Sequence, residues 1–155
     1  MPARSSELKE PGLDSDWSDL RVLFDAAEVV VQDPHGEWHP LEQIARTRGQ
    51  AACVITAWNP GRLRPGLVVN KQANARLSQR LSALALEIWP ADGRSPDLSF
   101  HEPGFCIWNP DQRQVLALGR EFGQLAIYTV RADGVRETVS CDDGDRQRER
   151  GVRES

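Results

Sequence analysis

Long apolar runs are missing from this chain of 155 residues, and nothing in it approaches the ~18 consecutive apolar residues of a membrane-spanning helix. No membrane partner is expected. The opening Met1-Pro2-Ala3-Arg4-Ser5-Ser6-Glu7 lacks the apolar stretch of a secretory leader, which points to a cytoplasmic protein. Cysteine is scarce: Cys53, Cys106 and Cys141 are odd in number, and their spacings fit neither a zinc site nor a disulfide framework. They are expected as reduced thiols, with Cys53 and Cys106 as small core residues inside apolar runs. Cys141, in a polar stretch, reads as incidental. No metal or cofactor is called for.

Lysine is nearly absent, two residues against 17 arginines, so a single arginine is weak evidence of function. Acids are missing altogether from Gln43 to Leu86. That stretch holds Arg46, Arg48, Arg62, Arg64, Lys71, Arg76 and Arg80 inside a chain of net charge −4. The result is a local positive field, serving either as a solvated face or as an anion-binding surface.

What is present suits one globular domain with a core of its own. Residues 1–15 and 141–155 are rich in charge, Ser, Gly and Pro, and are expected to be disordered tails around a domain at 16–140. Within it, Trp17, Leu20, Leu23 and Phe24 recur at helical spacing, and Glu28-Val29-Val30-Val31 reads as a strand that ends at the turn signal Asp33-Pro34-His35-Gly36. His39-Pro40 opens a short helix that closes at Gly49. Ala51 to Trp58 is almost continuously apolar, as a buried strand should be. A loop then leads to a long helix from about Leu67 to Leu86, with a stripe of Val69, Ala73, Leu77, Leu81, Leu84 and Ala85.

Further along, Glu87-Ile88-Trp89 is a short strand, 91–97 a loop, and Phe105–Trp108 a strand preceded by His101-Glu102-Pro103-Gly104. Asn109-Pro110-Asp111 opens a helix carrying Val115, Leu116, Leu118 and Phe122, and Gln124–Val130 is the last strand. The fold class is α+β. From residue 51 to 130 the order is that of a ferredoxin-like βαββαβ core, with an N-terminal helix and strand added.

Trp-Asn-Pro occurs twice, at 58–60 and 108–110, each time where an apolar strand feeds a helix. At the second copy capping suffices as an explanation: Asn109 as N-cap, Pro110 in the first turn, Asp111 at the positive helix end. At the first copy about seven residues separate Asn59 from the helix, which frees it to face a ligand. If the ferredoxin-like order holds, chain direction places the copies at opposite ends of the sheet. One edge then collects Thr56, Trp58, Asn59, Arg62, Arg64, Asn70, His101, Glu102, Gly123 and Gln124 beside the start of the long helix. Backbone N–H groups there, with arginines nearby, favour a phosphate or carboxylate. Glu102 is the candidate general acid or base, its pKa open to elevation by burial, with a structural carboxylate as the alternative.

The segments Ile55-Thr56-Ala57-Trp58-Asn59-Pro60, Asn70, Glu102-Pro103 and Gly119-Arg120-Glu121-Phe122-Gly123-Gln124-Leu125-Ala126-Ile127-Tyr128 together resemble a family of small bacterial proteins catalogued as domain of unknown function 3293. The resemblance covers about residues 20–130. It implies that Asn59, Asn70, Glu102 and Gln124 match the family pattern, and it brings no activity, ligand or cofactor with it. Two function classes follow. One is a non-enzymatic binding or regulatory module holding a small anionic ligand, or an RNA or protein partner, at this edge. The other is an enzyme using Glu102 as acid or base on a small phosphorylated or carboxylated substrate, with Asn59 and Gln124 orienting it.

Overall fold

A computed structural model describes residues 17–61, 63–99 and 101–142, so the expected tail at 1–15, and all but residues 141 and 142 of the expected tail at 141–155, lie outside the described residues. In chain order the elements are α1 (Trp17–Ala26), β1 (Glu28–Gln32), β2 (Trp38–Pro40), α2 (Leu41–Arg48), β3 (Ala52–Ile55), α3 (Leu67–Ser82), β4 (Ile88–Arg94), β5 (His101–Trp108), α4 (Gln112–Glu121), β6 (Ala126–Val130) and β7 (Arg136–Ser140). The α+β class holds. The sheet, however, is not a four-stranded core alone: seven strands run in the order β2-β1-β4-β5-β3-β6-β7, and every neighbouring pair is antiparallel.

Helices cover both faces of the sheet, and strand periodicity sorts the side chains between them. Cys53 and Ile55 of β3, with Ile107 and Ile127, pack against Ala73, Leu77 and Leu81 of α3 and Val115, Leu116 and Leu118 of α4. Ala52 and Val54 point the other way, into Val29, Val31, Trp89, Cys106, Trp108 and Val130, where Leu41 and Ala45 of α2 close the layer. All four residues of β3 are therefore buried, which is why its sequence is apolar without alternation. Cys53 and Cys106 are core residues as expected, and burial pushes the Cys53 thiol up to about 12.

Several boundaries differ from the sequence reading. His39 and Pro40 form the end of β2 rather than a helical turn, because Pro40 pairs with Val30 and α2 starts after it. Strand β4 runs on through Arg94 and β5 begins at His101, so the expected 91–97 loop and Glu102 itself lie largely within a hairpin, in the register Gly93↔Glu102. Helix α3 stops at Ser82. Its inward positions are Asn70, Ala73, Leu77 and Leu81, while Val69 is 48% exposed: a polar residue takes the place in the stripe assigned to valine.

Strand β7 was absent from the expected order. Its sequence, Arg-Glu-Thr-Val-Ser, turns Thr138 and Ser140 inward, and both are buried. Cys141 is also a correction. It is 2% exposed, and its amide donates to the Leu125 carbonyl (3.0 Å), which draws the segment after β7 against α4 and β6. Gly119 of α4 leaves the space it needs: a Cβ there would lie 2.7 Å from the Cys141 sulfur.

Candidate functional site

The two Trp-Asn-Pro copies do lie at opposite ends of β3. The second follows β5 where Trp108 pairs with Ala52, and the Asn109 amide donates to the Ala51 carbonyl (2.8 Å). Trp108 packs edge-to-face on Trp89 at 5.1 Å, with the Arg48 guanidinium 4.3 Å from the Trp108 ring centre and ion-paired to Glu87. The helix cap falls two positions later than expected. Asp111, not Asn109, accepts from the Arg113 amide (3.0 Å), and Asn109 adopts φ 54°, the left-handed conformation that asparagine tolerates.

Asn59 has the same left-handed backbone, φ 47°, and here the conformation serves a different end. Leaving β3 at Ile55, the chain has no strand partner for its amides, and side chains supply acceptors one after another. Thr56 Oγ1 accepts from the Trp58 amide (3.0 Å) and donates to the Pro103 carbonyl (2.5 Å). Asn74 Oδ1 accepts from the Ala57 amide (2.8 Å), and its Nδ2 donates to the same Pro103 carbonyl (3.0 Å). Asn70 Oδ1 accepts from the Asn59 amide (2.9 Å), and its Nδ2 donates to Asn59 Oδ1 (2.8 Å). Gln124 Nε2 donates to the Trp58 carbonyl (3.3 Å).

One consequence is electrostatic. With Oδ1 of Asn59 held by Asn70, its Nδ2 faces Glu102 Oε2 at 3.4 Å. Glu102 stands at even spacing along β5 from Cys106 and Trp108, so it projects on the same face as they do, the one that carries α2. Burial pushes its carboxyl above the usual glutamate range, with the Asp92 charge adding to the rise, while the Asn59 amide and the Arg64 charge hold it back. Burial likewise raises Tyr128, and the Glu102 charge adds to that.

The structure thus links Thr56, Trp58, Asn59, Asn70, Glu102 and Gln124 in one network. Gly123 closes it from the α4 side: at φ 73°, its missing side chain would meet the Pro60 ring at 3.0 Å. Arg64 lies exposed on the loop before α3, and His101, also exposed, is paired with Asp92 (3.0 Å). Arg62 lies outside the described residues. Helix α3 starts at Gly66 with no side-chain cap and no acid in its first turn.

Two members were missed in the sequence. Asn74 stands one helical turn after Asn70, a spacing that puts both on one face and was open to notice. Asp92, buried between Arg94 (2.8 Å) and His101, was hidden by the assignment of its strand to a loop. Outside the edge, Asp33, Glu37 and His39 gather at the β1–β2 turn, where Asp33 already caps the His35 and Glu37 amides. Among the described residues no helix is long and apolar enough to cross a membrane.

Residues 55–127 match the model of the family described as protein of unknown function (DUF3293), a span that contains the whole network from Thr56 to Gln124. No curated protein and no solved structure matches the chain.

Proposed function

We propose, for a chain whose matched family is one of unknown function, that it is a binding or regulatory module without catalysis, working at the edge where Asn59 meets Glu102. A small anionic ligand, or an acidic patch of a macromolecular partner, is the class of occupant that suits it. The observation carrying this reading is that the Thr56 hydroxyl and the side-chain amides of Asn70, Asn74 and Gln124 are spent on fixing one turn of backbone, beside an uncapped helix start and the exposed Arg64. A rigid display of this kind costs little ordering entropy when a ligand binds. The inner strands β4-β5-β3-β6, with α3 and α4 on one face, support a ferredoxin-like core extended by β1, β2 and β7. Three free cysteines fit a cytoplasmic setting.

The second reading, an enzyme with Glu102 as acid or base, draws on the upward shift of Glu102 beside an oriented amide. The two separate on Glu102→Gln. A thermal-shift screen against nucleotides, phosphosugars and amino acids identifies the ligand class first. In a binding module the ligand survives that substitution with a modest loss, whereas turnover in an enzyme falls by orders of magnitude. If no compound shifts the melting temperature, and Asn59→Ala and Gln124→Ala leave the cellular role intact, both readings fall and the edge is structural.

A further inference from the structure

Behind the Pro60 turn, on the face away from Glu102, an open cleft of about 560 Å³ lies between α3 and the end of α4. Its apolar lining comes from Ala57, Pro60, Ala73 and Phe122, and its charges from Arg76, Arg80 and Glu121. We propose that this cleft is a separate binding site for a small monoanionic carboxylate with an apolar body. Open as it is, it sets an apolar surface beside a few charged groups, the combination that ligand sites use.

The charges select the class of ligand. Arg80 and Glu121 are ion-paired with each other across the cleft, so neither charge is left over. Arg76 stands one turn earlier on α3 and has no ion-pair or hydrogen-bond partner among the described residues. Among the described residues the cleft therefore carries one surplus positive charge, on a guanidinium whose planar fork matches a carboxylate in two parallel hydrogen bonds. A monoanion balances that charge and a phosphate dianion overshoots it. The acid-free run from Gln43 to Leu86 keeps any competing carboxylate off α3 itself. The apolar lining favours a ligand with a hydrocarbon body, so phenylacetate is the fitting probe and acetate a poor one. Being open to solvent, the cleft desolvates its ligand incompletely, which sets the expected Kd on the order of 1 mM.

Amide chemical shifts of the full chain, titrated with phenylacetate, acetate, benzylamine and phenyl phosphate, test the assignment. Phenylacetate is expected to give saturable shifts at Ala73 and Gly123, acetate to bind much more weakly, and benzylamine not at all. Arg76→Gln should weaken phenylacetate roughly tenfold, the loss of one charge-assisted pair. Glu121→Gln frees Arg80 and should tighten binding. These opposite signs come from two exposed positions that carry little of the fold. The proposal is overturned if phenylacetate gives no saturable shift, if Arg76→Gln leaves its Kd unchanged, if Glu121→Gln weakens it, or if phenyl phosphate binds more tightly. A ligand of the Asn59–Glu102 edge still stabilises the Arg76→Gln variant, so the two sites fail independently.

Discussion

Asn70 occupies a helix position that an apolar residue would ordinarily fill, and its amide makes two bonds to Asn59 while only 3% of it is exposed. Asn70→Ala leaves the Asn59 amide and Oδ1 without their partners, at an expected cost of about 1–3 kcal/mol in urea unfolding. Gln124→Ala, breaking one longer bond at a half-buried site, should cost less. Glu102 makes a pH-dependent prediction. Its folded carboxyl titrates above its unfolded value, so the folded state holds the extra proton between the two; stability falls as pH rises through that interval, and the penalty persists above it. Glu102→Gln removes the penalty. Its stability relative to the native chain should therefore improve from acidic to neutral pH, and a constant difference would sink the account. Asn59, Asn70 and Gln124 were legible in the sequence as polar residues at strand and helix ends, and Asn74 was not singled out. Their targets were not, because a bond from a side chain to a backbone amide depends on tertiary approach.

Among elements, the hairpin boundaries were the least legible. Pro90, Gly93 and Pro103 punctuate β4 and β5 and read as breaks, yet pairing from Ile88↔Ile107 to Arg94↔His101 runs through all three. Gly104 shows why glycine is required in that hairpin: a Cβ would lie 2.5 Å from the Ile55 carbonyl oxygen, where β3 and β5 approach. The short polar β7 gave no apolar signal, since its partners and Cys141 supply the burial. That arrangement is testable by a double-mutant cycle. Gly119→Ala drives its methyl into the Cys141 sulfur and Cys141→Ala leaves a void, so each alone should destabilise by roughly 1–3 kcal/mol. Together the new methyl fills space the sulfur vacated, and the double variant should be more stable than the sum predicts, by 0.5 kcal/mol or more on the usual scale of ~0.5–3 for touching residues. Additivity would mean that the two side chains do not share that space.

At the scale of the molecule, the α+β class and the opposition of the two tripeptides followed from chain direction, because apolar periodicity fixes strand faces and connection lengths fix order. The flanking strands did not follow. One more contact joins the chain's far parts: Thr138 of β7 donates to the Asp25 carboxylate of α1 (2.6 Å), 113 residues away, and Arg136 donates to the Ala27 carbonyl (2.7 Å). Closing so long a loop is entropically unfavourable until the intervening layers are in place. Thr138→Ala should then speed unfolding in stopped-flow chevrons and leave the refolding rate nearly unchanged, whereas a slowed refolding limb would place the contact in the nucleus. The clasp of α1 on β7 is in this sense a latch that engages last. A nascent chain presents α1 well over a hundred residues before β7 is complete, so the latch engages only once β7 has paired with β6.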